Sequence, residues 1–157
     1  MPREIRNGIR FEIQGANDVR GLAFGHENND CTVRAIKHLT GVPYSDSHAL
    51  CKRLGRRDKR GLNTVQLQGL TALPHAYGYK VTRVILPAML GSTLGRAMLS
   101  LHKGRYLIIK TGHAIACIDG VLYDSGASGP GSRVLMVFKF TPSSQWESEN
   151  AKAGTSL

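Results

Sequence analysis

Apolar and polar positions along the chain change period several times, and each change marks an element. Ile9, Phe11 and Ile13 alternate with Arg10 and Glu12, which predicts a short half-buried strand, and residues 14–21 then read as a turn-rich loop. Asn28, Asn29 and Asp30 are good helix N-caps, and after them Val33, Ile36 and Leu39 recur at helical spacing before Gly41 and Pro43 stop the run. A second helix is expected from Ser45 or Asp46 through Ala49, Leu50 and Leu54 to Gly55, with its cations in the last turn, where they suit the macrodipole. Asn63 or Thr64 caps a third, carrying Val65, Leu67, Leu70 and Leu73 up to Pro74, and residues 79–85 read as a strand. Ser92 or Thr93 opens a fourth helix through Leu94, Ala97, Met98 and Leu101.

From Gly104 onward the helical period is lost. Residues 106–109, 113–118, 121–123 and 133–138 read as successive strands, and Asp119-Gly120 between two of them is a two-residue hairpin signal. Helices first and strands afterwards predict the α+β class, with N-terminal helices packed on a C-terminal antiparallel sheet. A length of 157 residues suits one domain, placed at 1–140. Residues 141–157 are polar, with Trp146 their one aromatic side chain, and are expected as a flexible tail.

Charge adds a second feature. Lys and Arg number 21 against 11 Asp and Glu, a net charge of +10. Lys52, Arg53, Arg56, Arg57, Lys59 and Arg60 crowd into one short segment opposed by Asp58 alone. Such a cluster attracts polyanions or acidic surfaces, so nucleic acid, an acidic protein or a virion component is an expected partner. No stretch approaches the roughly 18 consecutive apolar residues of a membrane-spanning helix. The N-terminus has no apolar signal region, so a cytoplasmic protein without a membrane partner is expected. Cys31, Cys51 and Cys117 include no CxxC pair and no His or carboxylate cluster has ligand spacing, so neither a disulfide framework, a metal nor another cofactor is expected.

One cysteine is placed for chemistry. Cys31 falls in the first turn of a predicted helix, where free backbone amides and the positive dipole end favour a thiolate. Cys51 and Cys117 fall inside a helix and a strand and read as small core residues. His113 opens a strand right after Thr111-Gly112, where an apolar strand gives no packing reason for an imidazole, and Asp124 ends the next strand across the Asp119-Gly120 hairpin. Asp124 orients the imidazole if the two share a face. Asp30, beside Cys31, is expected to oppose the dipole by like-charge repulsion. Residues 125–132, with Gly126, Gly129 and Gly131, are expected as one rim of a cleft.

The segment Asn28-Asn29-Asp30-Cys31-Thr32-Val33-Arg34-Ala35 resembles the nucleophile segment of ovarian-tumour-class deubiquitinases, and Gly112-His113-Ala114 with Asp119-Gly120 and Tyr123-Asp124 resembles bacteriocin-leader-processing peptidases. Both belong to the papain-like cysteine peptidase superfamily, and the chain is most similar to small phage and bacterial proteins that combine the two features. The order of elements is shared over residues 25–140 and the specific motifs over some twenty residues. The resemblance implies a papain-like fold with Cys31 as nucleophile, His113 as base and later acid, and Asp124 as the residue that fixes the imidazole. Papain-like enzymes often place a glutamine several residues before the nucleophile; here position 25 is Gly, followed by His26 and Glu27. Asn28 and Asn29 are therefore the oxyanion candidates beside the Cys31 amide.

The expected function is a cysteine hydrolase that cleaves a peptide, isopeptide or related amide of a protein or peptide substrate through a thioacyl intermediate, encoded by a phage or bacterium. An acyltransferase would share the triad and differ only in the acceptor. The contrasting expectation is an inert scaffold whose basic segment binds a partner.

Overall fold

A seven-stranded sheet forms the middle of the molecule, in the computed structural model, which describes residues 3–6, 8–25, 27–85, 93–126 and 128–155. His26 and Ser92 lie outside the described residues. The strands are β1 (Arg3–Arg6), β2 (Ile9–Ile13), β3 (Tyr79–Arg83), β4 (Arg105–Lys110), β5 (His113–Ile118), β6 (Val121–Asp124) and β7 (Val134–Pro142), in the order β1-β2-β6-β5-β4-β7-β3. The helices are α1 (Ala16–Arg20), α2 (Cys31–Thr40), α3 (Tyr44–Arg53), α4 (Thr64–Ala72), α5 (Leu94–Met98) and α6 (Ser143–Thr155), with a 3-10 turn at Leu22–Phe24. The class is α+β.

The sheet is mixed where a purely antiparallel one was expected. β2 pairs in parallel with β6, Phe11 beside Leu122 and Ile13 beside Asp124, while the other ladders are antiparallel. A parallel pair needs a long crossover. Here that crossover contains helices α1 to α5 and strands β3, β4 and β5, so the pair joins segments far apart in the chain.

Local chemistry explains the elements. Asn63 and Gln66 form a reciprocal capping box on α4, at 2.8 and 2.9 Å between side chain and backbone. Gly41 ends α2 in the left-handed region, its N–H bonding the Lys37 carbonyl at 2.8 Å. Asp119 and Gly120 have φ of 49° and 80°, the paired positive values of a type I′ hairpin, which sets the β5–β6 register. α1 lies where a loop was expected. Five residues are too short for a periodic signal, but Asp18 in its first turn and Arg20 in its last complement its dipole.

Burial divides into two layers. On one face of the sheet Leu107, Ala114, Ala116 and Phe138 pack with Val33, Ile36 and Leu39 of α2, Leu50 of α3 and Leu70 of α4. On the other face Ile108, Ile115, Cys117 and Leu122 pack with Phe11, Leu94 and Ala97. β5 is covered on both sides, so its four central residues are all buried. The segment expected as a tail begins in β7 and continues into α6. Thr141 is buried in β7 and Ser143–Thr155 is helical, anchored by the Ser143 N–H on the Gly78 carbonyl at 2.9 Å and by its hydroxyl against His75 Nδ1 at 2.8 Å.

Candidate active site

The first residue of α2 is Cys31, in the turn whose amides have no helical partner. The residues before it are fixed by two buried carboxylates. Asp30 is fully buried and accepts hydrogen bonds from Arg20 at 2.6 and 2.7 Å, Arg34 at 3.1 Å and the Tyr44 hydroxyl at 2.7 Å. Burial alone would raise its pKa, but these donors outweigh it and hold the carboxyl well below the usual range. Its charge is thus matched by guanidiniums, which removes the expected repulsion of the Cys31 thiolate.

Glu27 is the second anchor. Its carboxylate receives Arg56 at 2.9 and 3.2 Å, the Lys59 amide at 2.9 Å and His48 Nε2 at 2.6 Å. The Arg56 fork brings its pKa down to about 2 against the cost of burial. This corrects the reading of the basic segment: Arg56 is 4% exposed and structural, whereas Lys52, Arg53, Arg57, Lys59 and Arg60 are exposed. Glu27, His48 and Asp58 also form a grouping of metal-ligand types that no local spacing revealed, with ligand atoms within 4.8 Å. Its central carboxylate already holds the Arg56 guanidinium, which a cation would have to displace.

Across the helix start stands the sheet. The β5–β6 ladder pairs Ala116 with Tyr123, so Asp124 falls beside Ile115 and on the same face as His113. His113 Nε2 lies 2.7 Å from Asp124 Oδ1. The Ser125 amide at 2.8 Å and the Ser128 hydroxyl at 3.1 Å also donate to that carboxylate. With Nε2 engaged, Nδ1 is the ring nitrogen left for the thiol. The Asp124 bond, then the Cys31 bond, raise the His113 pKa to about 9 despite burial. Burial pushes the Cys31 thiol up, but the hydrogen bond and charge of His113, the Ala114 amide and the charge of Arg34 bring it below its ordinary value. The shifts move Cys31 toward its thiolate form and His113 toward its imidazolium form.

The other cysteines are different. Cys51 and Cys117 are fully buried, and burial pushes both thiols up to about 12. Cys117 Sγ lies 3.6 Å from the Leu101 carbonyl.

Two clefts meet at His113. One, of about 660 Å³, holds Cys31 and is walled by Arg34, Leu62, Leu67, Ile109 and Leu135. The other, of about 480 Å³, lies past the imidazole and is polar, bounded by Ser125, Gly126, Ser128 and Gly129 of the expected rim. Asn29, with φ 48°, borders the first cleft, but its amide nitrogen donates to the Lys59 carbonyl at 3.0 Å and approaches Asn28 Oδ1 at 3.5 Å. Asn28 is exposed, and its backbone carbonyl accepts from Arg56 at 3.1 Å. Among the described residues, no helix is long and apolar enough to cross a membrane. No protein-family model, curated protein or solved structure matches the chain.

Proposed function

We propose that the chain is a papain-like cysteine hydrolase acting on peptide, isopeptide or related amide bonds, with Cys31, His113 and Asp124 as its catalytic group. The observation that carries the reading is that Cys31, at the start of α2, lines the same cleft as His113, whose imidazole is 2.7 Å from the Asp124 carboxylate, where two clefts meet. The α+β architecture supports it, with the cysteine on a helix start and the other two residues on adjacent strands.

In this reading the Cys31 thiolate attacks the acyl carbon, forming the C–S bond as the carbonyl π electrons move onto oxygen. That oxyanion is met by the Cys31 amide at the positive end of α2. His113 gives its proton to the departing nitrogen, the C–N bond breaks, and a thioester remains. Water then loses a proton to His113 and adds to the thioester, releasing the acid and regenerating the thiolate. Asp124 holds the ring and stabilises the imidazolium throughout.

The test is the rate of Cys31 modification by iodoacetamide against pH, for the native protein and for His113→Ala. The expected result is selective labelling of Cys31 with a midpoint below the usual thiol range, moving upward when the imidazole is removed. A midpoint indifferent to His113 would overturn the proposal and leave an inert scaffold with an exposed basic segment.

A further inference from the structure

The cleft beside Cys31 carries positive charge that the fold does not consume. Asp30 is already held by both nitrogens of an Arg20 fork when Arg34 Nε reaches it. One carboxylate therefore faces two guanidiniums, and the surplus charge belongs to Arg34, which lines the cleft. Among the described residues, the two terminal nitrogens of Arg34 have no hydrogen-bond partner. Lys110 stands on the sheet side of the same cleft, its ammonium 3.4 Å from the neutral hydroxyl of Ser132. None of the lining residues is Asp or Glu.

The exposed cations continue this field outward. Gly61 and Leu62 line the cleft, so Arg57, Lys59 and Arg60 form the chain leading into its rim. That loop is tied to the residues preceding the nucleophile: Glu27 accepts from Arg56 and from the Lys59 amide, and Asn29 donates to the Lys59 carbonyl. Its one acidic residue, Asp58, lies 3.8 Å from Lys52. The basic loop is therefore hydrogen-bonded to the residues just before Cys31.

We propose, resting on the hydrolase reading above, that the site takes acidic polypeptides, with carboxylates flanking the scissile bond held by Arg34, Lys110 and the rim cations Arg57, Lys59 and Arg60. A guanidinium with free terminal nitrogens matches a carboxylate in fork geometry. Leu62 and the 40% exposed Leu135 offer apolar contact to a neighbouring side chain of the same substrate. A polypeptide fits better than a nucleic acid, because the lining has no Phe, Tyr or Trp on which a base could stack and a phosphodiester has no acyl carbon for the thiolate.

The test uses three tetrapeptidyl chloromethyl ketones that differ at two positions, Glu-Glu, Gln-Gln or Lys-Lys, read as second-order labelling of Cys31 in the full chain. The Glu probe is expected to react roughly tenfold faster than the Gln probe at low salt, and the Lys probe slower still. The Glu/Gln ratio should fall with added salt. It should also fall toward unity in Lys110→Gln and in the double variant Arg57→Gln, Arg60→Gln, and a ratio is immune to partial loss of folded protein. Equal labelling by the Glu and Gln probes, or a preference untouched by these variants, overturns the proposal, as does tight binding of a single-stranded oligonucleotide without any Glu preference. Failure of the hydrolase reading is distinguishable, because it appears as iodoacetamide labelling that ignores His113.

Discussion

Asp124 is the buried last residue of β6, and both its oxygens are committed, one to His113 and the Ser125 amide, the other to Ser128. Its bond is the largest influence raising His113. Asp124→Ala should lower the imidazolium pKa from about 9, raise the Cys31 alkylation midpoint and slow acyl transfer from an activated ester to Cys31 by about 10²-fold or more. The sign for stability follows from the same shift. His113 has a folded pKa above its ordinary 6.5, so its contribution is complete below 6.5 and is lost as pH rises through about 9. Glu27 runs the other way: its pKa falls from 4.5 to about 2, so its contribution is present above 4.5 and is lost as pH falls toward 2. Thermal melts taken from about pH 5 down to about pH 3 should show a smaller fall in Tm for Glu27→Gln than for the native chain, since the amide does not titrate.

At the scale of elements, α2 carries both core residues and Cys31. Val33, Ile36 and Leu39 are fully buried against the sheet face that includes Ala114 and Ala116. Ile36→Ala should cost about 2–5 kcal/mol in denaturant unfolding, because two small alanines opposite leave little to fill the void. Asn63→Ala removes one half of a reciprocal cap and should cost about 1 kcal/mol, measured the same way. The capping residues, the Gly41 stop and the Asp119-Gly120 turn were legible because each acts within a few residues of itself. The same locality placed Cys31 at a helix start and His113 and Asp124 on adjacent strands of one hairpin. α1 and the N-terminal β1 were not legible, being too short to show a period.

At the scale of the whole molecule, what matters is which charges the fold buries. Arg56 and Arg57 are neighbours in sequence, but Arg56 forks onto buried Glu27 while Arg57 is exposed. Arg56→Ala should destabilise by about 3–5 kcal/mol, since it strands a buried carboxylate. Arg57→Ala should stay within about 0.5 kcal/mol in the same unfolding experiment. By itself the sequence determined the α+β order of elements, the place of Cys31 at a helix start and the histidine–aspartate hairpin, because periodicity, caps and turn residues are local properties. Only the tertiary structure decided that β2 joins the sheet in parallel, that Glu27 and Asp30 lock the loop before Cys31, and that five rather than six of the clustered cations face solvent. Each of these depends on partners far apart in the chain, Glu27 and Arg56 among them, whose attraction has no periodic trace and acts only when folding brings them out of water together.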